Sequence, residues 1–324
     1  MKKTGLILSL VLIFLSCGKQ TNQANKMENS NINIPEFNAD SAYVYTENQV
    51  AFGPRVPNTQ AHKDCGNYLA AELRRFGAQV IEQEAILELY DKRLIEAKNI
   101  IASFNTENKN RVLLCAHWDT RPFADHDTDP ANHRKPIDGA NDGAGACGVL
   151  LEIARQIGLQ QPTIGIDIIL FDAEDWGAPS WETKHDGGWC LGSIYWANNP
   201  HIPNYQARYG ILLDMVSAKD ARFYKEVISM YYANNIVKKV WETAHSLGYT
   251  NYFIDKRGGE IMDDHVPVNQ IRKIPCINII QHDPNTSTGF GHYWHTMKDT
   301  MDEVCTETMK AVGQTVIQVI YSEK

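Results

Sequence analysis

Positive charge is in short supply in this sequence: 31 Lys and Arg stand against 39 Asp and Glu, for a formal net charge of −8. Affinity for nucleic acid leans on clustered Lys and Arg, so no nucleic-acid partner is expected. No CxxC spacing occurs among the seven cysteines, which argues against a cysteine-ligated structural zinc. There is no internal repeat and no second domain boundary. The apolar run from Leu6 to Leu15 is too short to span a bilayer.

That run follows Lys2 and Lys3 and ends in Leu15-Ser16-Cys17-Gly18, so residues 1–17 read as an export signal rather than a transmembrane helix. The small residue before Cys17 and the glycine after it resemble the bacterial lipobox. This implies a lipidated Cys17 and an exported, membrane-anchored lipoprotein facing the periplasm or the cell surface. Residues 18–38, polar and rich in Asn, read as a flexible tether, which leaves 39–324 as a single catalytic domain. Six cysteines follow Cys17: Cys65, Cys115, Cys147, Cys190, Cys276 and Cys305. An exported setting permits disulfides among them, and buried thiols or one or two bridges are both open.

Apolar or small residues at Cys65, Leu69, Leu73 and Phe76 have the spacing of an amphipathic helix, closed by Gly77. Two alternating stretches, VIEQEAILELYD and RLIEAKNIIASF, read as a strand pair turning at Asp91 and Lys92. RVLLCAHWD lacks alternation, as a strand covered on both faces would. GANDGAGACGVLLEIARQIG opens on glycines and turns helical. TIGIDIILFDAED, YGILLDMV and IPCINIIQ read as three more central strands, with helices at NNIVKKVWETAHSLG and at the C-terminus. Strands alternating with helices predict an α/β fold: a three-layer sandwich with a mixed, largely parallel central sheet and helices on both faces.

Each central strand runs into acid or imidazole: RVLLCA into His117 and Asp119, IDIILFD into Glu174 and Asp175, YGILL into Asp214. Ligands of open α/β sheets gather at the carboxyl ends of strands, so these side chains should converge. Asp142 lies between flexible glycines where a loop enters a helix, placed either to approach a metal closely or to cap that helix. Glu174 and Asp175 are adjacent on a strand end and point to opposite sides, so one would ligate a metal while the other faces substrate. His292 and His295 supply imidazoles, and Asp299 would orient the second. By contrast Asp125, His126, Asp127 and Asp129 read as solvated or loop-fixing.

In order along the chain, His117-x-Asp119, Asp142 in GANDGAG, Glu174-Asp175, Asp214 in LLDMV and His295-Thr296 resemble the zinc-dependent aminopeptidase superfamily. GEIMDDHVPV, YWHTMKDT and WGAPSWE look like its glutaminyl-peptide cyclotransferase branch. The resemblance implies one Zn2+ held by Asp142, Asp175 and His295, with Glu174 as general base. Asp214 and Asp263 would form an acidic pair on the γ-amide nitrogen, and Trp181, Phe290 and Trp294 would wall a substrate pocket for an N-terminal Gln. His117 would line the pocket with Asp119 behind its ring, or join Asp214 in holding a second metal.

The chain departs from that branch in places. Asp175 stands where animal cyclases carry Glu, Asn278 replaces a pocket histidine, and Ala116 separates Cys115 from His117. A Cys115–Cys147 bridge is therefore only one option. Because every ligand of a two-zinc site can be named, a two-zinc aminopeptidase hydrolysing N-terminal residues is the alternative expectation. A catalytically inert peptide-binding lipoprotein is the third, disfavoured by the intact Glu174.

Overall fold

The computed structural model describes residues 33–185 and 187–324. The signal segment and Cys17 lie outside the described residues. In chain order the elements are α1 (Ala39–Val50), α2 (Gln60–Arg75), β1 (Gln79–Glu88), β2 (Leu94–Phe104), β3 (Arg111–His117), α3 (Ala146–Leu159), β4 (Gly165–Phe171) and α4 (Leu191–Asn198). They continue with β5 (Gly210–Asp214), β6 (Phe223–Lys225), α5 (Val227–Ser246), β7 (Phe253–Arg257), α6 (His265–Gln270), β8 (Cys276–Ile280) and α7 (Thr306–Ser322).

Six strands form one sheet in the order β1-β2-β4-β3-β5-β8, and β6 pairs with β7 apart from it. β1 with β2 and β2 with β4 are antiparallel; β3, β4, β5 and β8 run parallel. The unalternating apolar runs have the predicted cause. On β3, Val112, Leu114 and Ala116 face a core shared with α1, α2, α3, α5 and α7, while Leu113 and Cys115 face a second core with α4 and α6. Covered on both faces, such strands gain nothing from alternation. The architecture is the expected three-layer α/β sandwich.

Parallel register places the site. His117 pairs with Phe171 at the end of β4, and Asp214 pairs with Ile280 at the end of β8. Cys115 pairs with Leu212, so the same offset sets His117 beside Asp214. One edge of the sheet thus collects the carboxyl ends that carry the ionisable groups.

Three expectations change. Residues 33–38 are packed rather than free: Phe37 is buried, its N–H donates to Gln314 Oε1 at 2.8 Å, and Asn38 caps α1. The folded domain therefore begins before residue 39. All six described cysteines are free thiols. A Cys115–Cys147 bridge is ruled out because Cys115 belongs to one core and Cys147 to the other, on opposite faces of the sheet. Finally α1 has no counterpart in the sequence reading, because its buried face includes Thr46 and Gln49 and so shows no apolar stripe. Among the described residues no helix is long and apolar enough to cross a membrane.

Candidate active site

The loop entering α3 is the most constrained backbone in the site. Gly143 has φ +99°, and a Cβ there would meet the Asp119 carbonyl oxygen at 2.8 Å and the His117 ring at 3.1 Å, so only glycine fits. This close approach turns Asp142 inward. The backbone N–H groups of Asn141 and Asp142 donate to the two oxygens of Asp299 at 2.8 and 3.0 Å. Asp299 therefore orients the Asp142 loop, not the His295 ring as the sequence implied. Asn141 Oδ1 accepts from Ser217 N and Oγ, tying the loop to the segment after β5.

After β4, Ala173 takes a left-handed conformation (φ 52°), which turns the chain into the acidic pair. The N–H groups of Glu174 and Asp175 donate to the two oxygens of Asp119 at 3.1 and 3.2 Å. Asp119 also lies 3.5 Å from His117 Nδ1, so one buried carboxylate holds both the acidic turn and the imidazole. The expected placement of Asp119 behind His117 holds.

Asp142, Asp175 and His295 converge, with one ligand atom from each all within 4.8 Å of one another. His295 Nε2 lies 3.2 Å from Asp175 Oδ1 and 3.6 Å from Asp142 Oδ2. Both oxygens of Asp175 are buried without a hydrogen-bond partner, a costly state that a cation would relieve. Burial and the Arg121 guanidinium hold the His295 imidazole well below its ordinary pKa, in the neutral form that ligates metal. Burial and neighbouring carboxylates push Asp175 up to about 7 despite Arg121 and His117. One imidazole and two carboxylates in a buried, anion-rich wall of the cavity fit a zinc ion with an open coordination position.

His117, Asp142 and Asp214 form a second convergent group. Here, though, the imidazole is already engaged: Nε2 is 3.0 Å from Asp142 Oδ1 and 3.3 Å from Asp214 Oδ1. Burial opposes its charge, but the partners Asp119, Asp142 and Asp214 outweigh burial and raise its pKa well above the ordinary value. That engagement leaves the Asp142–Asp175–His295 group, where both Asp175 oxygens lack a partner, as the better fit for a single zinc.

Glu174 faces the same cavity, of about 330 Å³, with Asp214 and Asp263. Burial, together with Asp263 and Asp175, raises the Glu174 pKa well above the carboxylate range, against the pull of His117. Burial and Asp214 raise Asp263 to about 6. Asp263 is fixed by the Asp264 N–H at 2.5 Å and by Asn278 Nδ2 at 2.6 Å. Asn278, where a pocket histidine was missing, thus supplies a donor to this acid.

Phe290 and Trp294 line the cavity as expected, with ring centroids 4.8 Å apart, and Trp294 stacks on the His295 ring at 3.7 Å. Trp181 does not: it is half-exposed, stacked on His133 and set edge-on to Phe123. The third aromatic wall is Trp189, which the sequence reading missed because it follows two glycines in a loop without periodicity. His292 is exposed and takes no part.

Asp125 is also corrected. It is buried, accepts a bidentate pair from Arg121 at 2.7 Å each, and lies 3.7 Å from His295 Nδ1. Although burial resists ionisation, Arg121 holds its carboxyl down at about 2. His126 packs on Trp294, and its N–H donates to the His295 carbonyl at 3.1 Å. Asp125 and the backbone of His126 thus brace His295, while Asp127 and Asp129, which accept bonds from their own loop, fit the loop-fixing reading. The bracing also holds His295 in a left-handed conformation, φ 53°, which a bulky residue adopts only under such constraint.

The model of peptidase family M28 matches residues 99–320. The crystal structure of a Zn-dependent exopeptidase from Parabacteroides distasonis is similar at a TM-score of 0.89 and 60% identity, covering 90% of this chain and 100% of that one. Tannerella forsythia glutaminyl cyclase is similar at a TM-score of 0.88 and 58% identity, with the same coverage. The glutaminyl-peptide cyclotransferase of Boiga irregularis is 24% identical over 69% of this chain, which spans 65% of that relative's length. With a matching family model over most of the folded domain and that site geometry, the chain belongs to peptidase family M28, in the group that includes the bacterial glutaminyl cyclases.

Proposed function

We propose that this protein is a zinc-dependent glutaminyl-peptide cyclotransferase, converting the N-terminal Gln of peptides or proteins to pyroglutamate with release of ammonia. The observation that carries the reading is the third acid: Asp263 stands with Glu174 in the cavity, in a group that shares no residue with Asp142–Asp175–His295 or His117–Asp142–Asp214. Peptide-bond hydrolysis needs one free carboxylate beside the metal. Expelling ammonia from an amide calls for further acid at the leaving nitrogen.

Asp142, Asp175 and His295 would hold the zinc ion, which would supply Lewis acidity toward the γ-carbonyl. Glu174 takes a proton from the α-amine as its nitrogen bonds to the γ-carbon, and returns it to the amide nitrogen as the carbon–nitrogen bond breaks. Asp214 and Asp263 hold the departing nitrogen. Trp189, Phe290 and Trp294 exclude water, which would compete as nucleophile. Because amine and amide belong to one residue, the pocket has mainly to select a folded conformer.

The His117–Asp142–Asp214 group favours a second reading, a two-zinc aminopeptidase. A peptide beginning with Gln separates the two. Ammonia release from an intact chain is expected, while release of free Gln would overturn the cyclase in favour of the peptidase. No turnover with zinc replenished would point to a peptide-binding lipoprotein.

The proposal includes the anchor: acylation of Cys17 would hold the domain to a membrane, facing the periplasm or the cell surface. A Cys17→Ser variant should then partition into the soluble fraction. Continued membrane association would refute the anchor.

A further inference from the structure

Cys190 is the one buried nucleophilic side chain in the site to which the mechanism above gives no role. It lies at the start of α4 in a left-handed conformation, φ 57°, where glycine would be unstrained. Its N–H donates to the Glu174 carbonyl at 2.9 Å, and the next two residues zip likewise onto Ala173 and Asp172. This ladder clamps the turn that carries Glu174. Its thiol lies 3.3 Å from Glu174 Oε1, within hydrogen-bonding range for sulfur, and the residue is fully buried.

Among the described residues, that thiol is the one hydrogen-bond donor to the Glu174 carboxylate. Asp263, in the same cavity, is better held, with two donors. Without the thiol, Glu174 would be free to rotate about its three side-chain torsions in an open cavity. One Cys190 Sγ contact with Oε1 leaves Oε2 for the substrate.

We propose that Cys190 is a positioning residue for the reaction: its S–H fixes the rotamer of Glu174, so that the carboxylate can receive and return the proton. The inference rests on the reading of Glu174 as the proton shuttle. The strained backbone supports it. The left-handed backbone, where glycine would cost less, carries a side chain at this position, and that side chain touches Glu174.

The test compares kcat, KM, melting temperature and zinc content for wild type and for Cys190→Ala, Cys190→Gly and Cys190→Ser. Each is run on a Gln-initiated peptide. Turnover is read as whichever product the wild type forms, pyroglutamyl peptide or free Gln, because Glu174 shuttles the proton in both. Failure of the cyclase reading is thereby separated from failure of this one. Removing the donor should lower kcat about tenfold in the Ala and Gly variants, with KM within about twofold and zinc retained. The Gly variant also relieves the left-handed strain, so it should melt no lower than wild type while still losing kcat. Serine restores a donor on a shorter bond and should recover most of the loss. Wild-type kcat in the Ala or Gly variant would overturn the proposal. So would a Ser variant as slow as Ala, or a loss of activity that tracks zinc content.

Discussion

Replacing Asp125 with Ala tests whether this buried acid, in the loop after β3, governs His295, the imidazole of the proposed zinc site. Arg121 is 1% exposed and would lose both Asp125 hydrogen bonds, keeping the Asp175 and Gly177 carbonyls at 3.1 and 3.4 Å and the more distant Asp175 carboxylate. Stranding one member of a buried ion pair costs about 3–5 kcal/mol. For a domain of this size that amounts to a fall in melting temperature of roughly 6–15 °C. The freed guanidinium lies 3.5 Å from Asp175 Oδ1 and would turn toward it, competing with zinc for a ligand oxygen. Removing the group behind His295 Nδ1 weakens the imidazole as well, and losses of this kind typically cost about 10- to 100-fold in metal affinity. Scanning calorimetry of the apo and zinc-loaded protein, with competition against a zinc chelator, reads both effects. A variant that melts within a degree of wild type, or binds zinc as tightly, would refute the argument.

Three further outcomes follow from the same geometry. Glu174→Gln should abolish turnover yet leave zinc bound, since Glu174 is not part of the Asp142–Asp175–His295 group; a normal rate with this variant would remove its proton-shuttle role. Trp294→Ala should raise KM and lower kcat because Trp294 stacks on His295, whereas Trp181→Ala should change neither more than about twofold, given its place outside the cavity. The stabilisation from two paired carboxylates should fall in acid. Asp125 and Glu226 both titrate at about 2 in the fold, the first through Arg121 and the second through His265 and Ser229, in each case against the effect of burial. Their folded pKa values lie below the unfolded ones of 3.8 and 4.5, so their stabilisation is complete above about pH 5. It is lost as pH drops toward 2, on the order of a few kcal/mol in all. Asp125→Asn and Glu226→Gln should each flatten the loss of stability between about pH 5 and 2 relative to wild type; variants with the wild-type pH dependence there would contradict this.

The central strands were readable because burial on both faces leaves only apolar residues on β3, β4, β5 and β8. The groups at their ends, His117, Glu174, Asp175 and Asp214, were readable for the same reason: charge standing at the end of an apolar run is conspicuous. Parallel register then brings them together without further information. What the sequence hides is the loops. Asp125 sits among His126, Asp127 and Asp129 in a stretch that looks solvated, and only its bidentate contact with Arg121 distinguishes it. Asp299 is close enough in sequence to His295 to invite pairing, yet its oxygens reach the Asp142 loop, more than 150 residues away. Trp181 and Trp189 lie on one excursion, and nothing in their neighbours tells which turns inward. α1 escaped notice because polar Thr46 and Gln49 lie on its buried face, both hydrogen-bonded.

The central claim is that an amine of the substrate, not water, attacks the γ-carbonyl within a one-zinc site. Incubating the zinc-loaded enzyme with a Gln-initiated peptide in heavy-oxygen water, and weighing the products, tests it most directly. The account predicts a peptide lighter by one ammonia, full length and free of solvent oxygen, with an equal amount of ammonia in solution. Free Gln, or a product carrying heavy oxygen, would contradict it.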